Sequence, residues 1–267
     1  MKNLLFIIFI LPHTLYAQPN CKAYLYAGDT AKYKACILVK NIDSLHYQFS
    51  RAFHEKYDEA LKIAPNFDYA YREKSTAYLK SGDFITWKKL IDKAVELDWR
   101  LNLGYRGWCR YQFFRDYQGA IKDIELLDSL VKYDIGVGQN GDYHLNFAKG
   151  ICYSAIGQKQ KAIEIFNQQL NAPNYEPGLY DYFQLGVTYF ELKDYSNAMI
   201  CFEKQANINQ LADNEYFKGK TYKILKNIIE YEKSKELALK LFKENKKLFD
   251  PYTHHFNKVY YDSILND

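Results

Sequence analysis

Proline and glycine are scarce in this chain of 267 residues, with six and 13 copies. Strand-rich domains with many tight turns need more of both, so the shortage points toward helices. Charge of one sign is lacking as well. The 36 basic and 32 acidic residues leave a formal charge of +4, too balanced for a nucleic-acid footprint. Beyond residue 17 no apolar run approaches the roughly 20 residues that a spanning helix needs. The signatures of catalysis and metal binding are missing too: there is no HExxH, GxSxG, paired CxxC or glycine-rich loop ending in Lys-Ser or Lys-Thr. His254 and His255 are adjacent, so a helix would turn them about 100° apart and deny them a shared metal face. "GVGQNGDY" contains three glycines but follows no strand signal, and it reads as a surface loop rather than a phosphate cradle. No catalytic, cofactor-binding or metal-ligating residue is therefore expected, and no cofactor is implied.

Aromatic residues, by contrast, are plentiful, with 26 tyrosines and 17 phenylalanines. Rings with a polar tip suit a thin fold whose residues are mostly half-buried. The N-terminus stands apart. Lys2 precedes an apolar run from Leu4 to Leu11, Pro12 ends it, and small Ala17 follows Leu15 and Tyr16. This layout marks residues 1–17 as a secretory signal peptide cut between Ala17 and Gln18, with export to the bacterial periplasm or beyond. An uncleaved anchor and a lipoprotein signal ending at Cys21 are the alternatives; the second lacks the usual apolar-then-small run before its cysteine. Export permits disulfides. Cys21 and Cys36 lie symmetrically about Gly28-Asp29, so two antiparallel helices around that turn would face the thiols toward each other. A bridge there closes a loop; without it the two are small buried apolar residues. Cys109, Cys152 and Cys201 share no motif and are assigned to packing.

A repeat organises the remainder. In "YFQLGVTYFELKDYSNAMICF", Tyr182, Leu185, Gly186 and Tyr189 fall on one helical face, Lys193-Asp194 breaks the pattern, and Ala198 and Phe202 open a second helix. Tyr153, Ala162 and Phe166 repeat the nine-then-four spacing, as do Tyr111, Ala120, Ile124 and Tyr78, Trp87, Ile91. Three residues before each tyrosine stands Ser75, Trp108, Gly150 or Gly186, where a small residue lets two helices approach. On these residues the chain resembles the tetratricopeptide-repeat family. Trp108 and Trp87 depart from its small-residue and alanine slots, and its closing proline appears only as Pro65. The resemblance implies an all-α fold: a right-handed superhelical solenoid of tetratricopeptide-type helix-turn-helix repeats with helical caps.

The expected divisions are an N-terminal helical cap over residues 18–66, repeats over 67–226 and C-terminal capping helices over 227–267. Within them, "SLHYQFSRAFHEKYDEALKIAP" reads as one long helix with Phe49, Phe53, Tyr57 and Ala60 on one side. Asp250-Pro251 reads as the start of a helix through "YTHHFNKVYYDSIL". In this family the first helix of each unit lines a concave inner face. Carried onto this sequence, that implies a partner-binding lining of Tyr69, Arg72, Tyr105, His144, Phe147, Tyr180, Phe183, Val187, Phe190 and Tyr216. Few of these are cationic, which disfavours an acidic chain end as ligand. The expected function is thus an exported, non-catalytic scaffold that binds a protein or peptide in its groove, with no nucleic acid and no membrane span in the mature chain. A structural part in an envelope or outer-membrane assembly is the alternative, and an uncharacterised helical enzyme the third reading.

Overall fold

A computed structural model describes residues 19–267; the expected signal peptide and its cleavage point lie outside them. Among the described residues the regular structure is helical, apart from one isolated bridge between Val137 and His144. The chain divides into two compact units, up to Leu97 and from Asp98 onward.

The first unit begins with α1 (Cys21–Tyr26) and α2 (Thr30–Val39). Gly28, at φ 77°, takes the left-handed conformation the turn needs, and Asp29 caps α2 by accepting from the Lys32 amide at 2.9 Å. The two helices are stapled by a Cys21–Cys36 disulfide with Cα atoms 5.5 Å apart. Two further helices, α3 (Ile42–Leu45) and α4 (Arg51–Ile63), replace the single long helix expected over residues 44–65. The division has a local cause. The Ser50 hydroxyl accepts from the Phe53 amide at 3.2 Å and starts α4, leaving Phe49 outside the helix and exposed. Phe53, Tyr57 and Ala60 are buried as their spacing requires. The unit ends with the antiparallel pair α5 (Asp68–Ser81) and α6 (Phe84–Leu97), where Ser75, Trp87 and Ile91 are buried.

The second unit is a series of helix pairs: α7 (Trp99–Cys109) with α8 (Tyr117–Leu130), α9 (Leu145–Ala155) with α10 (Lys159–Leu170), α11 (Asp181–Glu191) with α12 (Tyr195–Ile208), and α13 (Ala212–Ile224) with α14 (Ile228–Lys243). The slots pack as their spacing suggests. A Cβ at Gly150 would meet the Phe166 ring at 2.4 Å, and one at Gly186 would meet Phe202 at 2.6 Å. The departure at Trp108 resolves differently from the expectation. Gly107 makes the close approach in that pair, its Cβ position lying 3.1 Å from Ile124, while the Trp108 ring packs over Gly138 in the loop after α8. The interval from the small residue to Tyr111 is therefore four, and a π turn over Arg110–Phe114 continues α7 there. A π turn holds one more residue than an α turn, so Tyr111 still reaches the core, fully buried. Arg106 and Arg110 both bind the buried Asp123 carboxylate of α8, at 2.7 and 3.0 Å.

The C-terminus contradicts its sequence reading most clearly. No helix starts at Asp250-Pro251: residues 249–260 are irregular, and only α15 (Tyr261–Leu265) follows. Val259 and Ile264 pack with Ala212, Ala238 and Leu241 into a core that closes this end of the unit.

Candidate functional site

The first helices of the second unit, α7, α9, α11 and α13, lie side by side, each in contact with the next. Against the π turn that ends α7, the segment before α9 and the start of α11 lies a loop, residues 249–258. Its ends are brought together by one buried side chain. Asp213, in the first turn of α13, accepts from the Leu248 amide at 2.8 Å through one carboxylate oxygen and from the Val259 amide at 2.7 Å through the other. Burial pushes this carboxyl above its ordinary range, against the opposing effect of the two amides.

Between those ends the face grips the loop largely through its main chain and its polar side chains. Arg115 donates to the His254 carbonyl. Gln184 of α11 donates to the Phe256 carbonyl at 3.0 Å and accepts from the Asn257 amide group at 3.0 Å. The Gln112 carbonyl, in the π turn, accepts from the Thr253 hydroxyl at 3.2 Å. The Gln112 and Asn140 side chains both donate to Asp250, at 3.2 and 3.0 Å. One loop side chain enters fully. The His255 ring packs edge-on against Tyr180 and Tyr143, with centroids 5.1 and 6.0 Å away, and its Nε2 bonds the Phe249 carbonyl at 2.9 Å. Its Nδ1 has no partner. Asp142 lies 3.5 Å from Nε2, and burial raises its carboxyl while His255 opposes the shift.

The sequence-derived lining is divided by this arrangement. Tyr180 touches the loop through His255. Phe147, Phe183 and Val187 are fully buried; Phe147 stacks on Phe166 of its own pair at 4.5 Å, and Phe183 meets Phe217 at 5.9 Å. His144 caps α9, accepting from the Asn146 amide while its Nε2 bonds Asp134 at 3.1 Å. Tyr105, Phe190 and Tyr216 remain half-buried on α7, α11 and α13. Tyr69 and Arg72 are half-buried on α5 of the first unit, the guanidinium lying 5.6 Å from the ring centre. The residues that hold the loop, Gln112, Arg115, Gln184 and Asp213, were not anticipated. Gln184 alone carried a signal, since it lies beside Phe183 at a position that the repeat leaves unspecified.

A separate cleft of about 170 Å³ lies between α10, α11 and α12, lined by Asn167, Tyr182, Tyr189, Asn197 and Lys204 among others. It includes Tyr182, Leu185 and Tyr189, which belong to the packing pattern. Among the described residues no group of three or more His, Cys, Asp or Glu is placed to hold a metal ion, and no helix is long and apolar enough to cross a membrane.

Residues 143–174 and 182–210 match the family model of the tetratricopeptide repeat. No curated protein is similar enough in sequence to count as a relative. Among solved structures, the chain resembles PilW, described as a widely conserved type IV pilus biogenesis factor. The TM-score is 0.58 and the identity 16%, over 84% of this chain and 90% of that one. It also resembles pilF of Pseudomonas aeruginosa, with TM-score 0.56 and identity 14% over 84% and 89% of the two chains. The Cut9–Hcn1 assembly of the APC/C matches with TM-score 0.55 and identity 15%, over 82% of this chain and 43% of that one. At these identities the likeness is one of fold.

Proposed function

We propose that this chain, a tetratricopeptide-repeat protein, is a non-catalytic interaction scaffold whose first-helix face in residues 98–267 holds a polypeptide segment. One observation carries the reading: side chains of that face already satisfy main-chain carbonyl groups of an irregular segment, Gln184 at Phe256 and Arg115 at His254. Main-chain recognition of this kind tolerates many sequences, and nearby rings such as Tyr180 supply the selectivity. Half-buried Tyr105, Phe190 and Tyr216 extend the same face, and Tyr69 and Arg72 serve the first unit in the same way.

The setting we propose is the bacterial envelope. A bridged Cys21–Cys36 hairpin suits an oxidising compartment. A structural place within an envelope assembly is the second reading, which the same hairpin suits equally well.

Site-specific photo-crosslinking tests the binding face. A photoreactive amino acid in place of Tyr105 on α7 is expected to give intermolecular polypeptide adducts in cells. The same probe in place of Ile200, exposed on α12, is expected to give few. Adducts confined to the Ile200 position would contradict the proposal.

A further inference from the structure

We infer that the loop 249–258 is a displaceable occupant of the first-helix face, a segment bound in cis where a partner polypeptide binds in trans. The inference rests on the reading of that face as a polypeptide-binding surface and adds its regulation. Three observations support it.

The loop is closed independently of what it covers. Both of its ends are held at Asp213, and Leu248, Val259 and Ile264 are buried on either side. A ten-residue segment with its ends joined is an Ω-loop, and it can lift while the cap that closes the unit stays docked.

The loop is weakly anchored by apolar contact. Of residues 249–258 only His255 is buried, while the Phe249 and Tyr252 rings are 59% and 66% exposed. Segments that form part of a core do the reverse, hiding rings and showing polar groups. Besides the His255 ring and the half-buried Phe256 ring against Tyr117, what holds this loop is a set of hydrogen bonds that water or another peptide main chain can replace, each with a small net gain.

The contact between face and loop also leaves polar groups unmatched. One guanidinium nitrogen of Arg115 on the face, Nη1, and His255 Nδ1 on the loop are buried without partners. The cis segment therefore fits the face incompletely. A trans segment that satisfied Arg115 fully would compete well, although the tethered loop starts with the advantage of a high effective concentration. The chemistry of that segment follows from the face: a main chain that turns as the loop does at Phe256–Asn257, with carbonyl groups presented to Gln184 and Arg115 and one ring to enter between Tyr143 and Tyr180.

The probe is a fluorescent synthetic peptide of residues 248–260, titrated by anisotropy. It is compared on the intact chain and on a full-length variant in which residues 250–257 are replaced by eight Gly/Ser residues. Leu248, Val259 and α15 are kept. The peptide is expected to bind the replaced variant at least tenfold more tightly than the intact chain, and adding Gln184→Ala should remove most of that gain. A folded variant, judged by circular dichroism, that binds no better than the intact chain overturns the inference. A second variant does not depend on the replacement folding: Asp250→Ala with Asn257→Ala loosens the loop and leaves the side chains of the helices intact. It should raise peptide affinity at least threefold, and unchanged affinity there overturns the inference too. Such a failure would leave the photo-crosslinking result at Tyr105 untouched, because a partner could bind the face beside a permanently seated loop.

Discussion

Replacing Asp213 with alanine is expected to destabilise the intact chain by about 2–6 kcal/mol, read as a lower urea midpoint followed by circular dichroism. The carboxylate is the acceptor for two buried amides, Leu248 and Val259. Each buried donor left without a partner costs about 1–3 kcal/mol. Asp213→Asn keeps one acceptor oxygen and should lose less. A midpoint equal to that of the parent would show that the two amides are satisfied in some other way. The same group predicts a pH effect. Burial raises its folded pKa above the ordinary 3.8, so the folded state keeps the proton to higher pH than the unfolded state does. Its contribution to stability is therefore complete below the unfolded value and is lost as pH rises through the raised folded value. A stability profile from pH 4 upward should decline less in Asp213→Asn than in the parent, relative to each chain's value at pH 4.

Opening the Cys21–Cys36 bridge should destabilise the first unit by about 3 kcal/mol, the loop-closure effect for a separation of 15 residues. The effect belongs to the α1–α2 hairpin because α1 is only six residues long, too short to persist in isolation. Cys36→Ser, or mild reductant, should expose the buried Tyr57 and Phe67 cluster earlier in a denaturation series. No shift in the midpoint on reduction would contradict this role. Peptide mapping without reductant, on chain recovered from its own cells, should find the two cysteines joined. Free thiols there would count against the envelope.

Much of this architecture is legible in the sequence because packing repeats. Gly150 and Gly186 each face a ring four residues after an alanine, so the same geometric demand is written several times. Where the demand shifts by one residue, as at Gly107 and Trp108, the pattern shows an apparent violation, and the compensating π turn has no composition signal of its own. Asp250-Pro251 misleads for a related reason. Asp250 does behave as a cap residue, accepting from the Tyr252 and Thr253 amides at 2.8 and 2.9 Å. No helix follows, because the carbonyl groups beyond it are taken by Arg115 and Gln184. Gln112 meets Asp250 across 138 residues of sequence and Gln184 meets Phe256 across 72. Such single, long-range polar pairings have no period, so nothing local announces them. The ring-rich lining inferred from the repeat could be placed on its helices. Whether each ring faced solvent, a neighbouring helix or the chain's own C-terminal loop depended on where residues 249–258 came to rest.

Native-state hydrogen exchange resolved by peptide tests the displaceable loop most directly. The structure predicts slow exchange at Leu248 and Val259, whose amides are bound to Asp213, and in α11 and α13. Residues 254–257, between those closed ends, should exchange at least tenfold faster by local opening. If residues 254–257 were protected as strongly as α11, the loop would be part of the core, and its reading as a displaceable occupant of the face would be contradicted.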